Sequence, residues 1–186
     1  MRGSRGKPTR GVRPTTAKTL ESLLAILQPR LEGARACDLF AGTGQVGLGF
    51  LDGGAASVTF VEGSVEVARQ LQRRLRAEAD PLGWSWALTR GKVPAALAGL
   101  SGPYDLFWAD PPYDWQDHAK LLPALAELAA PEAWAVIEHH HKTPYLEGAG
   151  WSLLRQSKFG ETRLSFFAFS AFVEPANEEE DAGAQG

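Results

Sequence analysis

The sequence predicts an α/β protein built on one mostly parallel sheet, with helices on both faces and an antiparallel hairpin at its end. Three observations lead there. Short apolar runs alternate with helix-length stretches from Ala34 to Ile137, the pattern of successive strand–helix units. The first of those runs passes directly into a glycine turn, Ala41-Gly42-Thr43-Gly44-Gln45-Val46-Gly47. The last two, Trp151 to Ser157 and Thr162 to Phe172, flank Gly160 in the manner of a hairpin. At 186 residues and 44% hydrophobic content the chain can bury one substantial core. No apolar run approaches the roughly 18 residues that a membrane span needs.

The ends differ from the body in charge. Residues 1–18 carry Arg2, Arg5, Lys7, Arg10, Arg13 and Lys18 and no acid. The final stretch holds Glu178, Glu179, Glu180 and Asp181 and no base. The division expected is a basic arm over 1–18, a folded body over 19–173 and an acidic disordered tail over 174–186. A basic, glycine-rich arm on a mildly acidic body suits a polyanion such as nucleic acid, although a solvated tail has the same composition. The arm lacks the apolar centre of a secretory signal. The single cysteine, Cys37, excludes an internal disulfide and suits a reducing cytoplasm. It lies in an apolar strand, as a small core residue rather than a nucleophile.

Taken in order, Arg13-Pro14-Thr15-Thr16 opens a helix, with hydroxyls able to cap free N–H groups. Leu20, Leu23, Leu24 and Leu27 follow at helical spacing, and Pro29 is expected to end the run. Ala34 to Phe40 is the first strand, and Gln45 to Leu51 a helix. Ser57 to Val61 is the second strand, closed by Glu62. Ser64 caps a helix carrying Val65, Ala68, Leu71 and Leu75, whose arginines 69, 73, 74 and 76 form a solvated face. Trp84 to Thr89 is the third strand and Val93 to Leu100 a short helix. Tyr104 to Ala109 is strand four, Gln116 to Ala129 a helix and Ala133 to Ile137 strand five.

Two features of this frame carry chemistry. Gly42, Gly44 and Gly47 sit between a strand and a helix, the context in which glycines let a backbone approach a phosphate or nucleoside closely. Glu62 lies 18 residues after Gly44, near the offset of an acid that binds ribose hydroxyls. Asp110-Pro111-Pro112-Tyr113 then follows strand four. Two prolines stop a ladder, presenting an acid, a stiff backbone carbonyl and a ring at the carboxyl end of a strand. In open α/β sheets that edge binds ligands.

Dinucleotide oxidoreductases share the glycine turn and the acid but leave the Asp-Pro-Pro-Tyr loop unexplained. Methyl transfer from S-adenosylmethionine to an exocyclic amine accounts for it. Asp110 and the Pro111 carbonyl would accept the two amine N–H bonds, and Tyr113 would stack on a base held out of its helix. The run His139-His140-His141 is expected to be a solvated strand end. Adjacent strand residues face opposite ways and cannot converge on one ion, so no metal is expected.

The order of these motifs, R-P-T-T, D-L-F-A-G-T-G-x-x-G-L, Glu62, D-P-P-Y and a late K-F-G-E-T-R-L hairpin, resembles the bacterial 16S rRNA guanine-N2 methyltransferases of the RsmD type. The likeness extends to about Phe172. It implies a class I methyltransferase (Rossmann-like) fold with a seven-stranded sheet. S-adenosylmethionine would lie over Asp38, Phe40, Gly42, Thr43, Gly44 and Asp110, with Glu62 on its ribose. Catalysis would fall to Asp110, Pro111 and Tyr113, and RNA contact to Arg10, Arg13, Thr15, Pro112 and Tyr113. The partner would be 16S rRNA or the assembling small subunit, and the protein a cytoplasmic monomer. Two departures stand out. Thr89-Arg90-Gly91-Lys92 offers no carboxylate or amide for the cofactor adenine, and the arm is short. Adenine-N6 methylation of DNA or RNA stays open, against which no target-recognition insert is present. So does an RNA-binding module without catalysis, which the intact glycines and Asp-Pro-Pro-Tyr disfavour.

Overall fold

The computed structural model describes residues 17–143 and 148–170. The arm residues Arg10, Arg13 and Thr15 and the acidic tail lie outside them. Seven strands form one sheet in the order β3-β2-β1-β4-β5-β7-β6. They are β1 (Arg35–Leu39), β2 (Ser57–Glu62), β3 (Trp86–Arg90), β4 (Tyr104–Ala109), β5 (Ala129–His140), β6 (Trp151–Phe159) and β7 (Thr162–Phe169). The first five pair in parallel, and β7 enters antiparallel between β5 and β6.

Helices α1 (Ala17–Leu31), α2 (Gln45–Asp52), α3 (Val65–Glu78) and α4 (His118–Ala126) cover the faces. One core layer joins Leu23, Leu27, Leu31, Phe50, Phe60, Leu71, Leu75, Trp108, Val136 and Phe166. The other joins Leu39, Phe107, Leu121, Leu125, Ile137, Trp151 and Phe167. The central parallel strands β1, β2, β4 and β5 are thus apolar on both sides, as buried parallel strands must be.

Several boundaries differ from expectation. Pro29 does not end α1, which runs on to Leu31. A proline inside a helix costs roughly 3 kcal/mol, but Pro29 is exposed while Leu27 and Leu31 are fully buried. Each of those leucines contributes about 1.5–3 kcal/mol, enough to hold the last turn. The strand-five segment starts at Ala129 rather than Ala133, with its register against β4 shifted between Tyr104 and Leu106 and Glu132 at φ 62°. That bulge, next to Pro131, shortens α4 at its end. The predicted helix after Val93 is a 3-10 turn over Ala95–Gly99.

α1 also has a definite direction. A Cβ on Gly49 would lie 2.9 Å from Leu24, and one on Gly53 would meet Leu31. Helix α2 starts at the carboxyl end of β1, so α1 travels beside it from the carboxyl edge of the sheet to the amino edge. Ala17 therefore stands at the carboxyl edge.

The histidine run departs most from its reading. His139 is buried, not solvated. Its Nδ1–H donates to the His140 carbonyl at 3.0 Å, which leaves Nε2 to accept from the Ser165 hydroxyl at 2.7 Å. Gln156 Nε2 donates to the same hydroxyl at 2.8 Å. The network ties β5, β7 and β6 through side chains, and burial lowers the His139 pKa. Ser165→Ala removes the hydroxyl and leaves a buried imidazole nitrogen without it. Urea denaturation is expected to show a loss of about 1–3 kcal/mol.

Candidate active site

The strand order reverses between β1 and β4, with β2 and β3 on one side and β5 on the other. Their carboxyl ends therefore open a crevice of the kind in which such sheets bind ligands. Register aligns Asp38 with Trp108 and Trp108 with Val136, so the three share a face. Two residues further along β4 and β5, Asp110 and Glu138 fall on that face as well.

Glu62, at the end of β2, shapes the glycine turn. Its Oε2 accepts the Gly42 N–H at 2.9 Å and its Oε1 the Ser64 N–H at 2.7 Å. Each oxygen keeps a lone pair for a further donor. Asp38 is buried, and its Oδ2 accepts the Gly47 N–H at 2.9 Å. Burial pushes its carboxyl well above the usual range, opposed by the Gly47 bond and reinforced by Asp110 and Glu62.

The glycines do different things. Gly44, at φ 74°, closes the turn by donating to the Ala41 carbonyl at 2.7 Å, and any side chain there would strike Leu71. At Gly47 it would strike the Phe60 ring. Gly42, at φ 53°, has no atom nearer than 3.8 Å to a would-be Cβ, so the loop is packed beneath and open above. The Thr43 carbonyl accepts from Arg74 Nη1 at 3.0 Å. Arg74, expected on a solvated face, instead braces the loop while pairing with Glu78 at 2.9 Å.

Asp110 is half-buried. Burial raises its carboxyl to about 7, with Glu138 adding repulsion. Pro111 is buried; Pro112 and Tyr113 are exposed, Tyr113 by 63%. The Trp115 N–H closes the following turn on the Pro112 carbonyl at 2.9 Å, so this turn does not draw on the Pro111 carbonyl. The Trp115 ring packs edge-on against Phe40 at 5.1 Å and against His118 at 4.8 Å. Phe40 adopts φ 61°, a conformation costing about 1–3 kcal/mol for such a residue, and the Trp115 contact holds it there.

Asp38, Phe40, Gly42, Thr43, Gly44, Glu62, Asp110, Pro111, Pro112 and Tyr113 thus meet at one sheet edge. Sequence reasoning missed Glu138, Trp115 and Arg74. Glu138 follows Val136 by one strand repeat, a usable signal only once β5 is known to lie beside β4. At the end of β3, Arg90 lies in backbone register with Glu62, and the Gly91 N–H donates to the Glu62 carbonyl at 3.0 Å. Among the described residues, no three acids, histidines or cysteines are placed to hold a metal ion.

Fold and site together define a class I methyltransferase. The solved structure of yhhF from Escherichia coli superposes with a TM-score of 0.76 at 28% identity, covering 90% of this chain and 94% of that one. The magnesium protoporphyrin IX methyltransferase of Synechocystis PCC 6803, solved with bound SAH, shares the fold at a TM-score of 0.60 and 19% identity, over 82% of this chain and 83% of that one. The ribosomal RNA small subunit methyltransferase D of Escherichia coli K12 is 28% identical over 92% of this chain and 84% of its own length. Its Haemophilus influenzae namesake is 26% identical over 81% and 79% respectively. The chain belongs to the family described as conserved hypothetical protein 95, whose model matches residues 3–168.

Two outcomes follow from the carboxylates. Carbon-13 NMR of the Asp110 carboxyl is expected to titrate near 7, and Glu138→Gln, by removing a neighbouring charge, to lower that midpoint. An acid with a raised pKa in the fold binds its proton more tightly than in the unfolded chain, so its contribution to stability is lost as pH rises through about 7. Relative to pH 4, Asp110→Asn is therefore expected to gain about 2–4 kcal/mol over the parent protein by pH 8, measured by urea denaturation at both values.

Proposed function

We propose that the protein transfers a methyl group from S-adenosylmethionine to the exocyclic N2 amine of a guanine in 16S rRNA, free or within the assembling small subunit. The observation that carries this reading is Asp110. It ends β4 at the switch point, ahead of a stiff proline pair and beside the glycine turn. The names of the relatives in Escherichia coli and Haemophilus influenzae point to the same substrate class.

The residues fit the cofactor. Gly42 leaves room above the turn where a side chain would stand, and Glu62 has lone pairs left for ribose hydroxyls after clasping two N–H groups. Asp38, Phe40, Thr43 and Gly44 complete the cradle. Glu62 and Glu138 stand at this edge beside Asp110, an acidic setting that favours a cationic sulfonium. When bound, the cofactor supplies an electrophilic methyl.

The chain's own residues then act on the amine. An aromatic amine is a poor nucleophile because its lone pair is delocalised into the ring. Asp110 Oδ and the Pro111 carbonyl accept one N–H each, fixing the nitrogen and drawing on its protons. Asp110 does this as the carboxylate, and takes up a proton readily because its site already favours the protonated form. Tyr113, exposed beside it, stacks on the base, and Pro112 holds that ring's approach. Placement of the nitrogen supplies most of the rate. Arg10, Arg13 and Thr15 would engage RNA, and α1, which follows them in the chain, starts at this edge.

The test is incubation with labelled S-adenosylmethionine and undermodified small subunits, 16S rRNA transcript or duplex DNA, followed by nucleoside mass spectrometry. N2-methylguanosine from the ribosomal substrate is the expected product. N6-methyladenine would overturn the base assignment, and no product at all would favour an RNA-binding module. Asp110→Ala is expected to lower transfer at least a thousandfold while calorimetry still finds cofactor binding. Equal loss of both would place Asp110 in the cofactor site alone.

A further inference from the structure

His140 and His141 belong to no role assigned above. They stand at the end of β5, at the same sheet edge as Asp110. The His140 ring meets the exposed Tyr113 ring edge-on, with centroids 6.3 Å apart and planes at 80°. The His141 ring lies 4.4 Å from that of His140, tilted by 37°. Three aromatic faces thus adjoin one another beside the acid.

Both imidazoles are pinned by the backbone, unlike freely solvated strand-end rings. The Lys142 N–H donates to His140 Nδ1 at 3.2 Å, so in the neutral ring the proton is on Nε2. His141 Nδ1–H donates to the Glu161 carbonyl at 3.1 Å, which anchors that ring to the β6–β7 hairpin. The His141 N–H donates to the same carbonyl at 2.8 Å, and the Thr143 N–H closes on the His140 carbonyl at 2.9 Å. Rings fixed in advance lose little freedom when a partner stacks on them.

One cation stands next to the rings. Lys142 is exposed directly after the pair. Single-stranded nucleic acid is held by this combination, bases on aromatic faces and phosphates on nearby cations. A buried core role is excluded, because both rings are partly open to solvent.

We propose that His140 and His141 form a stacking subsite for the RNA nucleotide adjoining the target base. The assignment rests on the rRNA reading above and extends it by one nucleotide. Tyr113 would take the target, and the histidine pair the neighbour splayed beside it.

The test uses the full chain and the double variant His140→Ala/His141→Ala, with 16S rRNA transcript as the probe. Its KM for RNA and its RNA dissociation constant, by filter binding without cofactor, are each expected to rise about tenfold. Its kcat should stay within about twofold, and its melting temperature and cofactor affinity unchanged. His140→Phe/His141→Phe, which keeps two aromatic faces, is expected to recover most of the RNA affinity. A purely structural role for the turn would instead lower the melting temperature and gain nothing from phenylalanine. Should the parent protein methylate rRNA while the alanine variant keeps its KM, the subsite is wrong and the functional reading stands. Should the parent neither bind nor methylate the transcript, the functional reading fails and the subsite with it.

Discussion

Four acids crowd one edge of the sheet, and the structure is largely an arrangement for keeping them there. Asp38, Glu62, Asp110 and Glu138 lie at or near the carboxyl ends of four strands, and their mutual repulsion adds to burial in raising the Asp38 and Asp110 carboxyls. The backbone answers with N–H groups: Gly47 to Asp38, and Gly42 and Ser64 to Glu62. The bonds from Gly42 and Gly47 require a chain that folds back tightly over its own strand, as the glycine turn does. The turn in turn needs α2 and α3 packed beneath it, with Leu71, Phe60 and Arg74 pressed against it.

Much of this was legible in the sequence because local chemistry enforced it. Glycines between a strand and a helix, an acid ending strand two and prolines ending strand four each have one common physical reading. The alternation of strands and helices, and the final hairpin, follow from periodicity in the same way. What escaped were features decided by distant partners. Pro29 sits inside α1 because leucines on either side of it find the core, and no local rule reports that. His139 is internal because Ser165, on a strand that returns antiparallel, supplies its partner. Three adjacent histidines taken together suggest solvent, yet strand alternation sends the first to the core and leaves the next at the edge.

Glu138 illustrates the same limit at the site. In sequence it is a lone acid between an apolar strand and a histidine run. It becomes relevant only through the pairing of β4 with β5, which sets it on the face that also carries Asp110. Arg74 is similar: helical spacing assigns it to a solvated face, while the Thr43 carbonyl, reached across the α3–loop boundary, gives it a bracing role. The departure after strand three is a different matter. Thr89 to Lys92 offers backbone groups and Arg90 where the resemblance implies an acid or amide, and the structure places that segment against Glu62 without adding such a group.

The course of the first helix and the last strand has a practical side. α1 begins at the carboxyl edge, whereas β7, antiparallel to its neighbour β5, carries the chain away from that edge to Phe169. The two ends of the folded body therefore leave the sheet from opposite rims. A fluorophore, affinity handle or surface tether placed at Ala17 stands at the rim that carries the crevice. One placed at Ser170 stands at the far rim, with the depth of the sheet between it and the acids.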